Sequence, residues 1–105
     1  MKYRITIEAP DGTSIIAPSK NQYGFAALYI ASREKWEADA RAAIRRGEPA
    51  PRITADTLEA RRAFGVWRVA SMCETEEAAR AAGRERAKDR GVTQIVIVTT
   101  KVSKA

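Results

Sequence analysis

"NQYGFAALYIASREKW", residues 21–36, decides the fold, because its apolar and aromatic residues read either as one face of a helix or as a motif with working Tyr and Arg side chains. Phe25, Leu28, Tyr29, Ser32 and Trp36 recur at spacings of three and four, and Ala40, Ala43 and Ile44 continue the series. Such residues share one helical face. Upstream, Ser19 and Gln22 have the spacing of a reciprocal capping box. Downstream, Arg45 and Arg46 put cations at the negative end of the helix dipole, and Gly47 can close the last turn. The expectation is one continuous helix from Ser19 to Arg46.

On the N-terminal side, "KYRITIEA" (residues 2–9) alternates Tyr3, Ile5, Ile7 and Ala9 with Lys2, Arg4, Thr6 and Glu8, the pattern of a half-buried strand. Pro10, Asp11 and Gly12 supply turn chemistry and "SIIA" returns, which predicts a β-hairpin. On the other side, "EPAPR" breaks the helix, since two prolines remove donors and push their predecessors into extended geometry. "ADTLEARRAFG" then predicts a short helix with a capping box of Asp56 and Glu59. "VWRVASM" predicts a strand with Trp67 and Val69 on one side. A helix over 75–90 follows, capped by Thr75 and closed by Gly91, and "VTQIVIVTTKV" is the last strand.

The order β-β-α-α-β-α-β predicts an α+β two-layer sandwich in a single domain, residues 1–105. Its sheet is mixed and four-stranded, with strands 3 and 4 parallel through a crossover and the helices mainly on one face. Ala78, Ala79, Ala82 and Gly83 would let the last helix approach the sheet closely. Most of the core would then come from Phe25, Leu28, Trp36, Trp67 and the strand aliphatics. Ile95, Val96, Ile97 and Val98 make both faces of the last strand apolar, although a two-layer sandwich covers only one. Something further should cover the second face: the neighbours of the N-terminal hairpin, a displaced helix, another protein, or a second copy in a homodimer through the sheet.

Composition excludes several chemistries. The 105 residues are 45% hydrophobic and 30% charged, as in a soluble globular protein. No segment has the apolar length of a signal peptide core or a bilayer span, so the expected location is cytoplasmic with no membrane partner. With no His and a single Cys, the chain has no Ser/His/Asp or Cys/His nucleophile pair, no Cys/His zinc site and no internal disulfide. Neither GxGxxG nor GxxxxGK[ST] occurs. Cys73 precedes a helix start without a base beside it in sequence and reads as a small strand-end residue. Glu34, Glu37, Asp39 and Glu48 interleave with cations as on a solvated helix face, while Glu74, Glu76 and Glu77 answer a helix dipole. No metal, cofactor or catalytic residue is expected.

Tyr23-Gly24, followed by Tyr29-Ile30 and Arg33, resembles the GIY-YIG nucleases, in which paired tyrosines, an Arg and a downstream Glu surround a scissile phosphate. The chain departs from that family in three ways: the Tyr-Gly order is reversed, no Gly follows Ile30, and the segment reads as helix where the family has strands. The helical spacing of the rings is a sufficient explanation.

Cations carry the remaining signal. Nineteen Lys and Arg against thirteen Asp and Glu leave a net charge of +6, and thirteen of the cations are Arg. The excess favours acidic partners. Twenty Ala beside thirteen Arg is also what a GC-rich genome writes. Arg80, Arg84 and Lys88 stand at i, i+4, i+8, a ridge that can meet successive phosphates, with Arg45, Arg46, Arg61 and Arg62 as further contacts. Arg86 falls on the sheet side of that helix, where it either snorkels at the layer edge or makes a specific pair. The expected function is a small non-enzymatic protein that docks on nucleic acid or a nucleoprotein complex. The alternative is a protein-protein interaction module, an adaptor or a stoichiometric inhibitor of a host or phage complex, of cellular or viral origin.

Overall fold

The alternation at the N-terminus forms the strand it predicts. In the computed structural model, which describes residues 2–49 and 52–105, β1 (Tyr3–Glu8) buries Ile5 and Ile7 completely and pairs antiparallel with β2 (Ser14–Ser19), Ile7 opposite Ile15. Asp11 Oδ1 accepts from the Thr13 N–H at 3.0 Å, the local bond that sets the turn. β2 runs two residues further than "SIIA" and takes in Pro18. It is an edge strand, where a missing donor is tolerated.

The segment 19–46 is not one helix. Phe25–Ala31 forms β3, and α1 spans Arg33–Arg45, with Ser32 as its N-cap accepting from the Lys35 N–H at 3.2 Å. Ser19 caps nothing. It ends β2, buried, with its hydroxyl donating to the Asn21 carbonyl at 2.8 Å. The physical reason for the misreading lies in Ala26, Ala27 and Leu28, all fully buried. A strand covered on both faces has no polar/apolar alternation, so a period of two leaves no trace. The second half of the predicted face holds for Trp36, Ala40 and Ala43, the buried residues of α1, but not for Ile44, which is exposed.

β3 is the middle of a three-stranded sheet ordered β4-β3-β5, with β4 at Arg68–Cys73 and β5 at Val92–Thr99. A second three-stranded sheet is ordered β2-β1-β6, with β6 at Lys101–Lys104. The single four-stranded mixed sheet is thereby corrected to two sheets whose strand pairs are all antiparallel. β4 and β5 do run parallel to one another through the intervening helix α3 (Glu76–Arg86), but β3 lies between them. The last predicted strand is divided at Thr100, whose N–H and hydroxyl donate to the carbonyls of Gly24 at 3.0 Å and Tyr23 at 2.6 Å.

Both faces of the central sheet are covered from within the chain. On one face α3 packs so closely that a Cβ on Gly83 would stand 2.8 Å from Ile95 Cγ2 and 3.3 Å from Ile97 Cδ1. Ala79, one turn earlier, is fully buried. On the opposite face Ala26, Leu28, Val69, Val96 and Val98 pack against Ile5, Ile7 and Ala9 of the hairpin sheet. The architecture is therefore three layers where two were expected, and the second apolar face of β5 is met by the hairpin. The largest fully buried side chains are Ile5, Ile7 and Leu28, each contributing roughly 1.5–3 kcal/mol by its burial. Trp36 belongs to a separate cluster with Ala40 and Ala55, and Phe25 is only half-buried.

The short helix α2 spans Ala55–Ala60, capped by Thr54, whose hydroxyl accepts from the Thr57 N–H at 3.2 Å. Asp56 and Glu59 do not form the predicted box. Both carboxylates pair with Arg33 and tie α2 to the first turn of α1. Thr75 caps α3 as expected, with its hydroxyl accepting from the Ala78 N–H at 3.1 Å. That helix ends at Arg86 rather than at residue 90, so Lys88 and Arg90 lie in the turn beyond it. Of "EPAPR", Ala50 and Pro51 lie outside the described residues.

Candidate functional site

A cleft of about 600 Å³ opens where the C-terminal end of α3, the start of β5 and the α1–α2 pair meet at the end of the central sheet. Its floor is apolar and aromatic: Tyr29 and Ala31 from β3, Trp36 from α1, Leu58 from α2, Phe64, and Val92 from β5. Tyr29 follows Ala27 by two residues and so stays on the α3 side of the sheet. Around the mouth stand Arg52, Arg86, Lys88 and Arg90, with Asp89 the one acid among the lining residues.

Each wall has a local cause. Gly91, at φ +82°, turns the chain into β5. Its N–H donates to Asp39 Oδ2 at 2.9 Å, and its carbonyl accepts from the Ser32 N–H at 2.9 Å. The cap and the middle of α1 are thus both pinned to the turn that enters β5. The Gly91 N–H, followed by Lys35 at 2.7 Å, holds the Asp39 carboxyl below its ordinary pKa. On the other side, Phe64 is placed by a parallel bridge to Ala31 and by the Gly65 N–H donating to the Ala31 carbonyl at 3.0 Å. Arg68 Nη2 donates to the carbonyls of Arg61 at 3.1 Å and Arg62 at 2.6 Å, gathering the end of α2 where Arg62 adopts a positive φ of 57°.

Arg86 resolves the choice left open by its position on α3. Its guanidinium lies over the Tyr29 ring, 5.0 Å from the centroid, and Nη1 donates to Asp89 Oδ2 at 2.9 Å. It is a partly exposed, oriented cation rather than a buried ion pair.

Of the seven cations expected to meet nucleic acid, only Lys88 lines the cleft, and its ammonium pairs with Glu85 at 3.1 Å. Arg80 and Arg84 are exposed on α3, Arg80 paired with Glu76 at 2.7 Å. The ridge of three is thus two cations on the helix and one past its cap. Arg45 and Arg46 end α1, and Arg46 pairs with Glu48 at 3.0 Å. Arg61 and Arg62 are exposed and sit just before Ala63 and Phe64 of the cleft wall. Arg45, Arg61, Arg62 and Arg84 make no ion pair with any described residue. Arg52 and Arg90 at the rim, and the aromatic floor, had no sequence signal as a group, because the cleft joins three separate stretches of the chain, 29–36, 52–64 and 86–92.

Tyr23, Tyr29 and Arg33 do not converge. Tyr23 accepts from Asn21 Nδ2 at 3.0 Å before β3 begins, Tyr29 lies under Arg86, and Arg33 is engaged by Glu37, Asp56 and Glu59. The segment does contain a strand, which removes one of the three departures from the GIY-YIG pattern, but the reversed Tyr-Gly order and the missing Gly stand. Cys73, half-buried, ends β4 with its sulfur 3.4 Å from Ser71 Oγ. Among the described residues no three of His, Cys, Asp and Glu are grouped as metal ligands, and no helix is long and apolar enough to cross a membrane. No protein-family model, no curated protein and no solved structure matches this chain.

Proposed function

We propose that the protein is a non-enzymatic binder of nucleic acid, or of the nucleic-acid part of a nucleoprotein assembly. The observation that carries this reading is the rim of Arg52, Arg86, Lys88 and Arg90 over an aromatic floor: Asp89 pairs with Arg86 and Glu85 with Lys88, while Arg52 and Arg90 make no ion pair with any described residue. Cations set around a low-dielectric concavity focus a positive potential into it, and a phosphate backbone is the polyanion that matches a row of such charges. Arg80 and Arg84 extend the cationic surface along α3, and Arg45, Arg46, Arg61 and Arg62 extend it along the ends of α1 and α2. For a single strand meeting three or four of these cations, log affinity falls with log salt at a slope of about −2 to −3. Anisotropy of a labelled oligonucleotide over a salt series measures that slope. Reversing Arg84, Lys88 and Arg90 to Glu should abolish binding, and a salt-independent affinity rejects the reading.

The alternative, a protein-protein module acting as an adaptor or stoichiometric inhibitor, is favoured by Ile16 and Ile44, which are 62% and 51% exposed. Capture of one protein partner that survives both nuclease and high salt would select it.

A further inference from the structure

Resting on the nucleic-acid reading, we infer that the cleft receives one unstacked nucleobase of a single strand while the rim cations hold the flanking phosphates. Charge alone would be satisfied by a flat cationic surface. This surface is concave, and its floor offers Tyr29 and Phe64 half-buried and Trp36 only 9% exposed. A ligand that fills it must join a planar apolar part to negative charge within a few ångströms, which is the description of a nucleotide unit. The volume of about 600 Å³ lies within the range of pockets that hold ligands of that size, roughly 300–1,000 Å³.

The same geometry selects single strands. In a duplex both faces of every base are covered by its neighbours, so a double helix can touch the rim but leaves the floor empty. A single strand presents free base faces, which stack on aromatic rings and on guanidinium planes without regard to sequence. Arg86 is prepared for that second kind of contact. The Tyr29 ring beneath it and the Asp89 carboxylate beside it hold its guanidinium in one position at the cleft wall, so little side-chain freedom is lost when a base arrives. Phe64 adds an aromatic ring to the lining from a different segment, its backbone fixed by the bridge to Ala31.

The test separates this inference from the reading it rests on. Trp67 packs in the hairpin-side core, away from the cleft, so a Trp67→Phe variant leaves Trp36 as the single indole, reporting on the cleft. Circular dichroism verifies its fold. Three probes of matched length are titrated: an unlabelled oligothymidylate, the same strand with abasic residues throughout, and a duplex. The oligothymidylate should quench Trp36 emission saturably, at the midpoint of its binding isotherm. The abasic strand should bind at least about fivefold more weakly, without quenching, and the duplex should bind without quenching. Phe64→Leu should reproduce the abasic loss on intact strand and leave the salt slope unchanged. Equal, salt-steep binding of abasic and intact strands, with Trp36 silent, overturns base insertion and leaves nucleic-acid binding intact. Failure of all three probes to bind overturns both. A polyglutamate that matches oligothymidylate in affinity and quenching overturns the assignment to nucleobases.

Discussion

Two glycines with nearly the same positive φ allow the packing around the cleft to be measured against a built-in control. Gly91 has φ +82° and Gly47 φ +87°. A Cβ at Gly47 meets nothing within 4 Å, whereas one at Gly91 would stand 2.7 Å from Trp36 Cβ and 3.1 Å from Trp36 Cα. Replacing either by Ala incurs the left-handed penalty of about 1–2 kcal/mol, offset by about 0.4–1 kcal/mol from the stiffer unfolded chain. These two terms cancel when the variants are compared. What remains is the contact with Trp36, and the Cα among its atoms cannot rotate away. Gly91 cannot retreat either, since Asp39 holds its N–H and Ser32 its carbonyl. Overpacking of this kind costs about 1–3 kcal/mol. Gly91→Ala should therefore lie that far below Gly47→Ala, a separation of urea midpoints on the order of 1 M at ordinary slopes. Equilibrium urea unfolding followed by far-ultraviolet circular dichroism reads it directly. Coincident midpoints for the two variants would refute the close packing of α1 on the α3–β5 turn.

Asp39 links that same junction to acid stability. Its folded pKa is depressed, chiefly by the Gly91 N–H, so its contribution is fully present above the ordinary carboxylate value of 3.8 and is lost as pH falls through the lower folded value. In that window the unfolded chain binds more protons. Asp39→Asn should be less stable than the parent at neutral pH, with the gap narrowing below that value, and urea midpoints over a pH series check it. Arg68→Leu removes the donor to the Arg61 and Arg62 carbonyls and should destabilise by on the order of 1–3 kcal/mol. Limited proteolysis should show faster cutting around residues 61–66 in this variant than in the parent, and an unchanged cutting rate contradicts the clamp.

Most of the elements that sequence revealed have one wet face, and β5, apolar on both, was legible from its run of β-branched residues. Ile5 and Ile7 alternate with Arg4 and Thr6 because β1 faces the core on one side only, and Thr75 announces α3 because an exposed helix end needs a local partner. β3 hid because both of its faces are covered, and Ala26 and Ala27, small for close packing, also suit a helix. The ring spacing stayed in helical register across Ser32, where a real helix does begin. The signal that could have separated them was short-range: seven apolar or aromatic residues bounded by Gly24 and Ser32, a strand's length. As for the site, Lys88 and the anomaly of Arg86 were legible, since charge and helical angle are local properties. The floor was not, because Tyr29, Trp36, Phe64 and Val92 meet only after β3 has entered the middle of the sheet.

The passage of residues 92–104 through both sheets has a consequence for biosynthesis. On the ribosome β1 and β2 emerge before β3, yet β1's other neighbour, β6, and one flank of β3, β5, are translated only after α3. Until then the greasy side of the early hairpin and the inserted strand both lack a permanent seal. Assembly must await the synthesis of residues 92–104, and the nascent chain is most exposed to wrong pairing or to chaperone capture before that stretch emerges.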